Sequence, residues 1–149
     1  MAEPTTFRVL LADDHVTVRH GLRLLIDGQP DMKVIAEASD GATAVQRALD
    51  LKPDVVVMDI SMPGMNGLVA TRTLKEARPH MAVITLTRHG DDAYLQELLR
   101  AGVSGYVLKH AASDELITAM VWAVAREDRW RGGAVSRAAR RRTPRRRTA

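Results

Sequence analysis

The sequence contains no cysteine, which excludes disulfides, thiolate metal sites and thiol nucleophiles together and leaves any chemistry to oxygen and nitrogen groups. No stretch approaches the roughly 20 consecutive apolar residues that a bilayer span requires. The N-terminus also lacks a basic segment followed by a hydrophobic one, so neither a signal peptide nor a membrane anchor is expected and the predicted location is cytoplasmic. Aromatic residues are scarce, with two Tyr, two Trp and one Phe. Acidic residues are missing from one end: from Arg131 onward there are eight Arg and no Asp or Glu.

What is present divides accordingly. A chain of 149 residues is long enough for one well-filled core and short for two. Removing the eight tail arginines leaves 14 basic against 18 acidic side chains, so the body carries a formal charge of −4 and the tail +8. The expected organisation is one acidic domain over residues 1–129 and a basic strip over 130–149. The 19 residues after Trp130 contain two Gly and almost no apolar periodicity. No helix-turn-helix can be built from them. They read first as a disordered linker and second as a segment making weak, salt-sensitive contact with nucleic-acid phosphates.

Within the body, short apolar runs alternate with segments of helical period, the pattern of βαβ units around a parallel sheet. Strands are expected at Phe7 to Ala12, Lys33 to Glu37, Asp54 to Met58, Ala82 to Leu86 and Ser104 to Leu108. The intervening helical stripes are Val18, Leu22, Leu25 and Ile26, then Val45, Ala48 and Leu49, then Leu68 to Ala77, Asp92 to Arg100, and Asp114 to Arg126. In the last of these Ile117, Met120, Val121 and Val124 share one face. Pro63-Gly64 and Asn66-Gly67 read as turns, Ser113 as a helix N-cap and Gly102 as a helix stop. Ligands of such sheets gather beyond the carboxyl ends of the strands.

Polar residues stand at four of those ends: Asp13 and Asp14 after the first run, Asp59 after the third, Thr87 after the fourth and Lys109 after the fifth. Singly, each has an ordinary explanation as a cap, a satisfied hydroxyl or a solvated charge. Jointly they do not, because three carboxylates on one rim repel one another unless cations are supplied. A metal and a lysine would supply them. An oxygen-only donor set with positions left to water and phosphate suits Mg2+, with Mn2+ tolerated. Asp59 could then attack phosphorus and become an aspartyl-phosphate, with Lys109 neutralising charge on the phosphoryl oxygens.

Read in order, LLADDH, VVVMDISMPGMNG, ITLTRH and SGYVLKH resemble the receiver domain of two-component response regulators over about Phe7 to Glu127. The resemblance implies an α/β, doubly wound, flavodoxin-like fold whose five parallel strands run in the order 2-1-3-4-5. It makes Asp59 the phosphoacceptor, Asp14 a direct Mg2+ ligand, Asp13 a ligand acting mainly through water, and the Ser61 carbonyl a backbone ligand. Lys109 matches the phosphate-contacting lysine, and Thr87 with Tyr106 the coupled switch pair. The implied phosphodonor is a sensor histidine kinase, and the implied output is a conformational switch able to drive homodimerisation or partner binding. Such a protein catalyses its own phosphorylation and dephosphorylation and is not a metabolic enzyme. For Tyr106 a tyrosine with its hydroxyl in water is an equal reading from the residues alone.

Departures from the family pattern narrow the reading. His110 stands where many receivers carry proline, which resembles the branch with LuxR-type output domains. Arg88 follows the switch threonine where a small residue is usual; a long cation there could narrow access to Asp59 or add a phosphate contact, and slower exchange with small phosphodonors is expected. His89 reads as a solvated loop residue or as a contact for hydrolytic water. A phosphatase of the haloacid dehalogenase type also uses a strand-end Asp with Mg2+, but it needs a second carboxylate two residues on, where this chain has Ser61.

Overall fold

The computed structural model describes residues 6–88, 92–109 and 114–128. Among the described residues five strands and five helices alternate: β1 (Phe7–Ala12), α1 (Val16–Asp27), β2 (Met32–Ala38), α2 (Gly41–Leu51), β3 (Val55–Asp59), α3 (Gly67–Ala77), β4 (Ala82–Thr87), α4 (Asp92–Arg100), β5 (Gly105–Leu108) and α5 (Asp114–Asp128). The strands form one sheet in the order β2-β1-β3-β4-β5, and every pairing is parallel.

Burial on both faces explains the near-continuous apolar strands. All five residues of β3 and all six of β4 are buried. On one face Val9, Leu11, Val57, Ile84 and Val107 pack with Leu22 and Ile26 of α1 and with Leu116, Met120 and Val124 of α5. On the other, Leu10, Val56, Met58 and Val83 pack with Ala44 and Ala48 of α2, Leu74 of α3 and Leu98 of α4. Alternate residues of each strand serve opposite layers, as the pleat requires.

Three expected strands end one residue later than the sequence suggests, β2 at Ala38, β3 at Asp59 and β4 at Thr87, so Asp59 and Thr87 are the last residues of their strands and not the first beyond them. Ladder pairing with β4 carries Asp59 along, since Asp59 pairs with Leu86. The third strand starts at Val55, one residue later than expected, and the Asp54 carboxylate before it accepts from the Arg8 N–H at 2.8 Å. Val18 leaves the expected stripe of α1 and is exposed, while Leu22 and Ile26 remain buried. The expected stripe of α5 is buried throughout.

Local stops behave as their chemistry dictates. Gly102 has φ of +87°; its N–H donates to the Leu99 carbonyl and that of Val103 to the Leu98 carbonyl, the two bonds of a Schellman end. Asn66 is an N-cap and not a turn centre, its Oδ1 accepting from the Val69 N–H at 3.0 Å. Gly64, at φ +69°, sits in the loop after β3 as the Pro63-Gly64 turn requires. Ser113, His89, His110 and the strip 130–149 lie outside the described residues. Among the described residues no helix is long and apolar enough to cross a membrane.

Candidate functional site

Parallel register brings the carboxyl ends of β1, β3, β4 and β5 to one rim, with Ala12 paired to Met58, Asp59 to Leu86 and Thr87 to Leu108. The residues that follow Ala12 and Leu108 are therefore thrown over the same edge as Asp59. There the Lys109 ammonium lies 3.0 Å from Asp59 Oδ2 and 3.1 Å from Asp13 Oδ1. Asp13 and Asp59 are almost fully buried, at 0% and 1% exposure, and the lysine side chain is at 9%. Residues separated by 96 and 50 positions in sequence thus form one desolvated cluster.

The balance of charge in this cluster is negative, because one lysine faces two buried carboxylates and the partly exposed Asp14. Burial pushes the Asp59 carboxyl above its ordinary range; the Lys109 hydrogen bond pulls it back, and the Asp13 charge raises it further. Asp13 Oδ2 lies 3.0 Å from Lys109 Nζ but off the direction of a hydrogen bond, and Asp14 Oδ1 likewise has no hydrogen-bond donor. Shielded carboxylate oxygens without donors call for a cation. Donor atoms of Asp13, Asp14, His15 and Asp59 all lie within 4.8 Å of one another, a span that one divalent ion can bridge. This oxygen-rich set fits a hard divalent cation.

The loops are shaped to hold the carboxylates. The Ser61 N–H points back to Asp59 Oδ1 at 3.4 Å. The Gly67 N–H donates to the Ile60 carbonyl at 2.9 Å, and a Cβ at Gly67 would stand 2.2 Å from the Asp59 carbonyl oxygen. Helix α3 therefore begins in direct backbone contact with the end of β3, which only glycine permits. On the other side the Arg19 guanidinium donates to the Asp13 carbonyl at 2.6 Å, and Glu37 orients Arg19 at 3.2 Å.

Asp13, Asp14, Asp59 and Lys109 are brought together as the sequence predicts. Thr87 is buried beside them, but its hydroxyl donates to the Val107 carbonyl at 3.4 Å and to none of the carboxylates. Tyr106 is 50% exposed, its ring on the solvent side of the edge strand. Arg88 reaches across the mouth of the pocket to the His15 ring, with its NH2 3.4 and 3.3 Å from the two ring nitrogens. Two participants escaped the sequence reading. His15 was visible only as the last letter of LLADDH, and Arg19 gave no signal because its role depends on where α1 crosses β1.

Comparison with known proteins agrees with this geometry. A family model described as response regulator receiver domain matches residues 9–121. The oxygen regulatory protein NreC of Staphylococcus haemolyticus is 42% identical over 114 residues, which cover 76% of this chain and 52% of that protein. The chain thus spans about half the length of the curated relatives it matches. Among solved structures, a LuxR-family two-component response regulator from Aurantimonas sp. SI85-9A1 superposes with a TM-score of 0.75 at 38% identity, covering 81% of this chain and 86% of that one. The response regulator domain of Thermotoga maritima CheB gives 0.73 at 36% identity, covering 80% and 96%.

Proposed function

The chain belongs to the response regulator receiver domain family of two-component signalling, and on that premise we propose that it accepts a phosphoryl group on Asp59 from a sensor histidine kinase. The observation that carries the proposal is the buried ammonium of Lys109, hydrogen-bonded at about equal distance to Asp59 and Asp13. A carboxylate oxygen of Asp59 forms a bond to phosphorus while the bond from phosphorus to the donor nitrogen breaks, its electron pair leaving with the imidazole. Lys109 is placed to follow the charge that gathers on the phosphoryl oxygens. Asp13, Asp14 and Asp59, with the Ser61 carbonyl, would hold Mg2+ or Mn2+, which when bound neutralises phosphoryl charge and the repulsion among the carboxylates.

Thr87 follows Leu86, the ladder partner of Asp59, and its present hydrogen bond is long, so a phosphoryl oxygen would offer its hydroxyl a stronger, charged acceptor. Movement of Thr87 would release space beside β5 for the Tyr106 ring, shifting an existing equilibrium between two arrangements of the α4–β5–α5 face. That face would carry dimerisation or partner binding, with transcriptional control as the output of the longer protein type that the NreC and LuxR-family relatives represent. Catalysis is confined to the domain's own phosphorylation and dephosphorylation.

Intact-mass measurement after acetyl phosphate with Mg2+ tests the site. One added phosphoryl group is expected in the parent and none in Asp59→Asn; labelling of the variant would overturn the assignment. Timing the same reaction in Arg88→Ala tests the gate across the pocket mouth. Severalfold faster labelling is expected, and an unchanged rate removes Arg88 from control of access.

A further inference from the structure

We propose that His15 is itself a metal ligand, through Nδ1, and that this pocket therefore favours first-row transition dications such as Co2+ and Ni2+ over Mg2+ through a nitrogen donor. The inference rests on the reading of the carboxylate cluster as a divalent-ion site. His15 Nδ1 lies 3.1 Å from Asp14 Oδ1 and 3.3 Å from Asp13 Oδ1. An octahedral ion with ligands at about 2.1 Å sets neighbouring donors about 3.0 Å apart and opposite donors about 4.2 Å apart. The donors of Asp13, Asp14, His15 and Asp59 all lie within 4.8 Å of one another, and the two His15 Nδ1 distances are close to the neighbouring-donor spacing.

The contacts of Nδ1 conflict when no dication is considered. Lys109 Nζ stands 3.0 Å away and can only donate, while the two carboxylates can only accept. No tautomer satisfies all three. A dication held by Nδ1 and the carboxylates would leave Lys109 to its bonds with Asp59 Oδ2 and Asp13 Oδ1, and it would also serve Asp13 Oδ2 and Asp14 Oδ1, which lack hydrogen-bond partners. His15 stands at the N-cap of α1 without a side-chain cap bond, so its ring is not committed to the helix end. Its backbone N–H donates to Asp13 Oδ1 at 2.8 Å and anchors the residue at the rim. Arg88 NH2 is almost equidistant from both ring nitrogens, so it packs on the ring without lying in line with either. Imidazole raises affinity for transition dications along the series Mn2+, Fe2+, Co2+, Ni2+, whereas Mg2+ keeps oxygen and water ligands.

The test titrates the full chain with Co2+, Ni2+ and Mg2+ by calorimetry, in the parent, His15→Ala and His15→Gln, and adds pulsed electron paramagnetic resonance of the Mn2+-loaded protein. Expected are a loss of at least about tenfold in Co2+ and Ni2+ affinity in both variants, a change in Mg2+ affinity below about threefold, and a 14N coupling that disappears with the imidazole. Equal effects on all ions, or no 14N coupling in the parent, would remove His15 as a ligand while leaving the receiver reading intact. Failure of every dication to bind the parent would instead sink the divalent-ion site on which the inference depends.

Discussion

Asp59 is held in a conflict between burial, which favours the neutral acid, and Lys109, which favours the carboxylate. Its raised pKa states that burial prevails, with help from Asp13. A folded-state pKa above the unfolded value means that the folded state binds the proton more tightly. The associated stability is then complete below the usual carboxylate range near 4 and is lost as pH rises through the folded value. Replacing Asp59 with Asn removes a charge that is poorly solvated at neutral pH, while Lys109 keeps Asp13 as a partner. Urea unfolding in the presence of a chelator should show the variant more stable by about 1 kcal/mol at pH 7, with the gain vanishing toward pH ~4. A variant less stable than the parent at pH 7 would show that the Lys109 pairing outweighs burial.

At the scale of elements, the join between β3 and α3 decides how Asp59, the proposed acceptor, is presented. The chain leaves Asp59, turns through Gly64, caps α3 with Asn66 and brings Gly67 into contact with the backbone of Asp59 and Ile60. Because the atoms met by an added Cβ are backbone at 2.2 and 2.7 Å, no side-chain rotation can relieve the clash. Gly67→Ala should therefore cost about 2 kcal/mol or more and also slow acetyl-phosphate labelling, since the strand end must move. Asn66→Ala removes only a cap, about 1 kcal/mol, and should leave the labelling rate near that of the parent. Equal labelling defects in the two variants would show that general loosening, and not displacement of Asp59, controls the rate.

At the scale of the whole molecule, one sheet is shared by two apolar layers, so loss of either is expected to unfold both. Met120 is fully buried in α5, which packs on β3, β4 and β5. Met120→Ala is expected to cost about 2–5 kcal/mol and yet to keep a single transition, with tryptophan fluorescence and far-ultraviolet dichroism sharing one midpoint. Separate midpoints would mean that the α2–α3–α4 layer holds the sheet without α5. The same sharing joins the carboxyl ends of the strands in one sheet, the path by which the proposed switch would carry a change at Asp59 to Thr87 and Tyr106.

Alternation of apolar runs with helical stripes, the strand-end polar residues and the glycine stops were all legible in the chain, because they depend on periodicity and on local backbone preference. The cluster of Asp13, Asp14, Asp59 and Lys109 was legible too, since parallel crossover topology delivers successive strand ends to one edge. Contacts that cross between elements were not. Gly67 read as half of a turn, although it is required by the backbone it touches. His15 and Arg19 carried no distinctive signal, because the positions of their partners on β3, β5 and β2 follow from packing. Local sequence thus determined which residues could do chemistry, and tertiary packing decided which of them share a desolvated pocket, because burial and charge act through space and not along the chain.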